Sequence, residues 1–393
     1  MMKRRLATAL VACAAGWAWG SDDRRELARP IIDQAIAYLR SQQDPTTGGW
    51  AHRVEGPNFP AITGLVLTGM LDDPRIDQNE PAVRAGVAYV LGFRKPDGTI
   101  HDGVVPSYNT AICLSMLARV RTCDSAEAIG RAQSALRAMQ WQFEVPEGAQ
   151  SYNEPVSEDH PFFGGIGYGK HGRPDLSNLG FALDALHDSG VSSNDEAFKR
   201  AIVFLSRTQM LDEVNEMPYA DGSKQGGFIY ATVPDAQSID GRAGQSMAGL
   251  VEEEFEDGTT GSRLRAYGSM TYVGFKSLIY ADLPRTDPRV TAAKGWIERN
   301  YTLDENPGMG KQGQYYYYVA LARALDAWGQ PTLVVRAEGQ PAREVDWRLE
   351  LIGKLGELQE PDGSFRVLDQ RWMEGDRVLI TSYALIALET AAR

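Results

Sequence analysis

The sequence predicts an all-α fold, twelve helices paired into six hairpins that close into a double-walled ring. Two observations predict it. Along the 393 residues a unit recurs six times: a helical run ending in Gln, a Gly-rich turn, an aromatic residue, then a second helical run opening with Ser or Thr. The second runs also differ in composition. They carry Ala182, Ala185, Ala320, Ala322, Ala384 and Ala387, which allow close approach, and apolar residues at spacings of three and four. A hairpin of this kind cannot bury its own apolar face, so each unit must pack on its neighbours.

Taken in order, the first unit runs from Ala35 to Leu71: an outer helix near residues 27 to 42, Gln43, the turn Gly48-Gly49-Trp50, and an inner helix near 61 to 71 with Thr63. The second, Val87 to Leu117, pairs residues 80 to 93 with 108 to 120 around Lys95-Pro96-Asp97-Gly98-Thr99-Ile100. The third, Ala132 to Leu186, has an outer helix near 125 to 141 with Gln140, the turn Gly164-Gly165-Ile166-Gly167-Tyr168, and an inner helix near 177 to 188. The fourth, Ala201 to Leu278, joins 196 to 209, ending in Gln209, to 269 to 281 with Thr271, through Gly226-Gly227-Phe228. The fifth, Ala293 to Leu325, is the weakest: 288 to 300 and 314 to 328 are separated by Gly308-Met309-Gly310, and the Gln is missing. The sixth, Leu351 to Leu388, pairs 344 to 358 with 379 to 391 through Gln359, Pro361-Asp362-Gly363-Ser364-Phe365 and Thr381. Ser125, Ser193 or Asn194 before Glu196, and Asp287-Pro288 supply helix starts.

Insertions interrupt the third and fourth units, Glu144 to Asp175 with His160 and His171, and Asp212 to Arg265 with the acidic run Glu252-Glu253-Glu254-Phe255-Glu256-Asp257. That run reads as a solvated face or mobile loop and lacks the alternating oxygen spacing of a calcium site. No linker long enough to separate two domains appears, so residues 21–393 are expected to form one domain.

Met1 to Gly20 reads as an export signal: Lys3, Arg4 and Arg5, an apolar run from Leu6, then small residues ending Ala18-Trp19-Gly20. The apolar run is shorter than the roughly 20 residues that span a bilayer. The expectation is a soluble exported protein, periplasmic or extracellular, without a transmembrane segment. The alternative is a lipobox, Leu10-Val11-Ala12-Cys13, with a lipoprotein anchored at Cys13. The formal net charge is −12, and loss of the three leader cations makes it more negative. So acidic a chain disfavours nucleic acid and anionic membrane surfaces as partners. Cys113 and Cys123 would lie about 15 Å apart on one continuous helix, too far for a disulfide, and read as two thiols unless Thr122-Cys123-Asp124-Ser125 bends the chain.

The repeats resemble those shared by squalene and terpenoid cyclases and by protein prenyltransferase β subunits. The resemblance covers nearly the whole chain after the leader and implies an α/α toroid. More narrowly, Tyr267-Gly268-Ser269-Met270-Thr271-Tyr272, Asn300 to Gly310, Tyr315 to Tyr318 and Arg371-Trp372-Met373-Glu374-Gly375-Asp376 look like an exported bacterial branch of prenyltransferase/squalene oxidase repeat proteins. Two catalytic signatures of the wider family are missing. No Asp-x-Asp-Asp acid occurs, and Asp72-Asp73-Pro74-Arg75-Ile76-Asp77 misses the Asp-Asp-x-x-Asp magnesium spacing by one residue. The zinc site of the prenyltransferases needs late Cys and His residues. The histidines here are His52, His101, His160, His171 and His187, and no Cys or His follows His187. Neither metal nor cofactor is expected.

What remains is a set of residues at the starts of the inner helices, where side chains and helix N-termini can converge on one mouth of the ring. They are Tyr108-Asn109-Thr110, Ser177-Asn178, Ser269 with Thr271-Tyr272, Gln314-Tyr315-Tyr316 and Ser382-Tyr383, of which Tyr108, Asn109, Asn178, Thr271, Tyr272, Tyr315 and Tyr316 are the ligand-binding candidates, joined by Arg371 and Trp372. Asp304, Glu305, Glu374 and Asp376, near the same rim, are the candidate acids. Competing readings are plain: Ser, Thr and Asn at helix starts are caps more often than ligands, and loop carboxylates cap helices or pair at the surface. The expected ligand is an apolar or isoprenoid-like small molecule or lipid, with terpenoid-cyclase-like chemistry of the isomerase or lyase class if the protein is an enzyme. Tyrosine faces would then shield a cation. A polysaccharide lyase or hydrolase and a non-catalytic scaffold for a protein partner are the alternatives, and the sequence leaves the choice open.

Overall fold

The structure, a computed structural model, describes residues 21–120, 122–144, 152–232, 245–255 and 257–393. Residues 1–20, read above as an export signal and including Cys13, and parts of both insertions lie outside them. Twelve α-helices are present among the described residues. The outer set is α1 (Ser21–Ser41), α3 (Pro81–Leu91), α5 (Cys123–Met139), α7 (Glu196–Thr208), α9 (Pro288–Asn300) and α11 (Trp347–Leu358). Its inner partners are α2 (Pro60–Asp72), α4 (Pro106–Leu117), α6 (Leu176–Asp188), α8 (Gly268–Tyr280), α10 (Gln314–Trp328) and α12 (Arg377–Ala391). The inner helices touch in an unbroken circle, α2 to α4, α6, α8, α10, α12 and back to α2, so the ring is closed.

The residues that mark the repeat are those that tie one unit to the next. Gln43 Nε2 donates to Gly48 O of its own turn and to Ala82 O at the start of the next outer helix, each at 2.8 Å. Gln140 reaches Gly164 O and Ala197 O in the same way, and Gln209 reaches Gly226 O and Arg289 O. Gln359 donates to Gly363 O and, at 2.8 Å, to Ile31 O of α1, which carries the pattern across the seam between the two ends of the chain. Glycine is demanded twice over in these turns. Gly363 has φ +87°, and a Cβ there would sit 2.2 Å from Gln34 O. In three units the Ser/Thr position is also explained: Thr63, Thr110 and Thr271 accept from the backbone N–H of Trp50, Ile100 and Phe228, pinning those turns to their inner helices, whereas the buried hydroxyl of Thr381 in the sixth makes no such bond. In the fifth unit Asn306 takes over, accepting from Ser269 N–H at 2.8 Å and donating to Gln312 O.

Inner helices are buried all round, as α2 is from Pro60 to Met70, which removes the polar face an outer helix shows. Small residues set their spacing: a Cβ on Gly180 of α6 would lie 2.3 Å from Val273 Cγ1 of α8. Expected and observed boundaries agree within three residues except at α1, which begins at Ser21, where Asp22 and Asp23 in its first turn favour the positive helix end.

Two hairpins correct the sequence reading. The acidic run read as a solvated face or mobile loop begins in a strand, β1 (Leu250–Glu254), paired antiparallel with β2 (Thr260–Leu264): Glu252 and Glu254 are exposed, and Glu253 accepts from Ser223 Oγ and Lys224 N–H. Alternation of exposed and half-buried positions in β1 is the pattern the charge run concealed. Before α11, β3 (Leu333–Val335) pairs with β4 (Arg343–Val345), taking residues assigned to the outer helix. Cys113 is a buried thiol in α4 and Cys123 an exposed one opening α5, and they are not bonded to each other. No described helix is long and apolar enough to cross a membrane.

Candidate functional site

All six inner helices start at the same end of the ring, and their first turns surround a cavity of about 280 Å³. Phe59, Tyr108, Tyr168, Phe181, Tyr230, Tyr267, Tyr316 and Tyr383 supply aromatic walls, with Ile62, Leu65, Ile112, Met270 and Leu379 between them. Tyr316 closes the floor. Its ring lies 5.6 Å from Phe181 and 6.1 Å from Tyr383, and beneath it only a void of about 20 Å³ remains before a buried ion group blocks the axis. In that group Asp184 holds Lys276 at 2.5 Å and Arg323 at 3.1 Å. The opposite mouth, among the inner-helix C-termini, is a separate charged basin in which Arg119 pairs with Asp72 and Asp188.

One wall of the cavity is a completed hydrogen-bond network. Tyr108 Oη lies 2.5 Å from Ser177 Oγ, Ser177 donates to Asp175 Oδ1 at 2.7 Å, and the Tyr168 and Tyr230 hydroxyls share a bond of 2.7 Å. Asp175 also caps α6 through Asn178 N–H and accepts from Asn178 Nδ2. Burial pushes its carboxyl up, against those hydrogen bonds.

Glu374 forms part of the facing wall. It follows the short turn Arg371–Met373 and reaches over to cap α10, accepting from Tyr316 N–H at 2.9 Å and Tyr315 N–H at 3.3 Å. Desolvation dominates: the carboxyl is pushed up to about 7, although the N–H groups it accepts from favour its charged form. Trp372 and Met373, both at positive φ (54° and 66°), roof this side half exposed. Gly313, itself at φ +64°, lets the Trp372 ring approach to where a Cβ would be 3.0 Å away.

Of the residues singled out from sequence, Tyr108, Asn109, Tyr316, Trp372 and Glu374 line the cavity. The Asn109 amide is engaged, accepting from Ala61 N–H at 3.0 Å and donating to Val104 O. Asn178, Thr271, Tyr272 and Tyr315 are buried between elements. Asn178 serves Asp175 and Ser107, Thr271 the Phe228 turn, Tyr272 packs edge-on against Tyr317, and Tyr315 Oη donates to Arg366 O. Arg371 is exposed, stacked over Trp372 and bonded to Gln312. The remaining acids stand away from the cavity. Asp304 is 80% exposed and paired with Lys354, Glu305 is exposed, and Asp376 caps α12 through Val378 N–H and Leu379 N–H. Ser177, Ser269 and Tyr383, noted in the sequence at inner-helix starts, line the cavity too, while Phe59, Tyr168, Phe181, Tyr230 and Tyr267 belong to the lining but not to that set. Phe181 lies one helical turn beyond Ser177, a signal the sequence did carry.

No protein-family model matches the chain, and no curated protein matches it. Among solved structures, the GH76A α-1,6-mannanase of Salegentibacter sp. HEL1_6 superposes with a TM-score of 0.56 at 10% identity, over 94% of this chain and 99% of that one. An α-amylase from Clostridium perfringens gives 0.51 at 12% identity, over 92% and 97%. The fold is an α/α toroid. A type II terpene cyclase from Scytonema, solved with merosterolic acid A, is also similar, with a TM-score of 0.48 at 13% identity over 94% of this chain and 98% of its own. At these identities the likeness concerns the toroid, and activity has to be argued from the cavity.

Proposed function

We propose that this toroid binds a small, largely apolar molecule of isoprenoid kind in the cavity at the N-terminal mouth of its inner helices. The observation that carries this reading is the lining: aromatic and aliphatic side chains from all six inner helices or the loops before them, with a completed polar network on one wall. At about 280 Å³ the cavity sits at the small end of ligand pockets, which run from roughly 300 to 1,000 Å³, and suits a monoterpene- or sesquiterpene-sized guest.

Two chemistries fit less well. Proton-initiated cyclisation needs a strong acid, because an unactivated alkene is a very weak base, whereas Glu374 holds its proton up to about pH 7. Glycoside hydrolysis ordinarily uses two carboxyl groups flanking the bond to be broken. Glu374 is the carboxylate in the lining, while Asp175 lies behind it with its oxygens committed to Ser177 and Asn178. The reading is therefore binding, with Glu374 as the ionisable group nearest the guest.

The test is mass spectrometry of lipids extracted from the purified protein, with titration by geraniol and farnesol followed through tryptophan fluorescence, Trp372 being at the rim. Retained isoprenoid or saturable quenching supports the reading. An empty protein that responds to neither compound would falsify it.

A further inference from the structure

Building on the binding reading, we infer that the guest carries a single uncharged hydrogen-bonding head, a hydroxyl or carbonyl, seated among Tyr267, Tyr316, Tyr383 and Glu374. The two sides of the cavity differ in what they offer. On one side the hydroxyls of Tyr108, Tyr168, Tyr230 and Ser177 are bonded to one another or to Asp175. On the other, Tyr267, Tyr316 and Tyr383 line the same cavity, and their hydroxyls make no hydrogen bond among the described residues. Tyr316 and Tyr383 are neighbours, with ring centroids 6.1 Å apart, and burial keeps all three phenols neutral by raising them above their ordinary range. Phenols that line a cavity without a protein partner are open to a guest, and one able to donate and accept would complete this side as Ser177 and Asp175 complete the other.

Charge decides what the head is. No Lys, Arg or His lines the cavity among the described residues, so a diphosphate would meet no counter-ion. The helix N-termini, which could hold an anion instead, are mostly taken. Asn109 accepts from Ala61 N–H of α2, Asp175 from α6, Asn306 from α8, Glu374 from α10 and Asp376 from α12. All five side chains sit at this end of the ring and fix the first turns, so an incoming anion would have to displace one of them.

The experiment is isothermal titration of the full chain with three probes of one carbon skeleton: farnesol, farnesyl diphosphate and the hydrocarbon farnesene. Farnesol is expected to bind about tenfold more tightly than either of the others. Tyr316→Phe and Tyr383→Phe, each checked for native circular dichroism, are expected to reduce the farnesol advantage by roughly threefold to tenfold, the worth of one hydrogen bond, and to leave farnesene affinity unchanged. Equal affinity for farnesol and farnesene would overturn the head-group site while leaving the apolar cavity standing. Tightest binding of the diphosphate would overturn its neutrality. Failure of all three to bind would remove the binding reading and this inference with it.

Discussion

Glu374 performs two tasks that pull its chemistry in opposite directions. As the cap of α10 it is favoured as an anion by the N–H groups of Tyr315 and Tyr316, while as a residue with 2% of its surface exposed it is penalised for carrying charge. Unfolded, the side chain releases its proton near 4.5; folded, it keeps it to about 7. Between those values the native state binds this extra proton, so the contribution of Glu374 to stability is fully present below about 4.5 and is lost as pH rises through about 7. The loss amounts to roughly 3 kcal/mol at most, at 1.36 kcal/mol per pKa unit. Glu374→Gln keeps an acceptor for α10 but has no proton to lose. Thermal unfolding across this pH range should show the wild type losing stability relative to the variant on the alkaline side, and parallel profiles would mean the carboxyl is not held neutral. Glu389, raised to about 8 by burial beside Asp72 and Asp73, titrates over an overlapping window, which is why the difference from the variant rather than the raw profile is the readout. The sequence pointed to Glu374 together with Asp304, Glu305 and Asp376 and could not rank them, because what separates them is burial. The same holds for the tyrosine run. Tyr315, Tyr317 and Tyr318 send their hydroxyls to the carbonyls of Arg366, Thr302 and Leu303, and Tyr316 faces the cavity.

Turns and helices were more legible than walls, since the residues that mark them act on backbone close by or in the next unit. Gln43, Gln140, Gln209 and Gln359 recur because each meets a carbonyl of its own turn and one of the next outer helix, and Thr63, Thr110 and Thr271 because each meets an N–H of its turn. Cavity walls, in contrast, are assembled from Tyr108 of one unit, Tyr168 and Tyr230 of insertions, and Tyr267, Tyr316 and Tyr383 of three others, with no shared spacing to read. The hairpin of β1 and β2 was hidden for a related reason: its charged alternation looks like a solvated run until Glu253 is seen holding Ser223 and Lys224. A turn glycine gives the corresponding test of this element. Gly363→Ala would place a Cβ in a left-handed conformation 2.2 Å from Gln34 O, so either the turn or α1 must shift. Unfolding by denaturant should show a loss above about 1 kcal/mol, the size of the ordinary glycine-to-alanine effect. A neutral or stabilising result would mean the turn relaxes freely and does not set the distance between units.

Across the molecule, the ring has one place where neighbours in space are far apart in sequence. There α1 packs on α11 and α12, α2 packs on α12, and Arg24 reaches the carbonyl of Arg393. Gln359 bonds Ile31 across this seam just as Gln209 bonds Arg289 within the chain, at 2.8 Å in each case. Loop-closure entropy grows only with the logarithm of the span, so the two contacts are expected to contribute similarly to global stability. Their local effects differ. Gln209 joins units that the chain also connects, whereas the seam holds α1 through side-chain packing and a few such bonds, so α1 is placed to open before the rest of the ring. Gln359→Ala removes the bond to Ile31 O, which keeps its helical donor, and is expected to cost about 0.5–1.5 kcal/mol, concentrated in the opening of α1. Native-state hydrogen exchange should therefore quicken in α1 for Gln359→Ala while α7 and α9 keep their protection, and Gln209→Ala should spare α1. Because Ile62 and Leu65 of α2 and Leu379 and Tyr383 of α12 face the cavity from the two sides of the seam, the same variant should also weaken the binding of farnesol. Exchange in α1 that is unchanged by Gln359→Ala would show that packing alone closes the toroid.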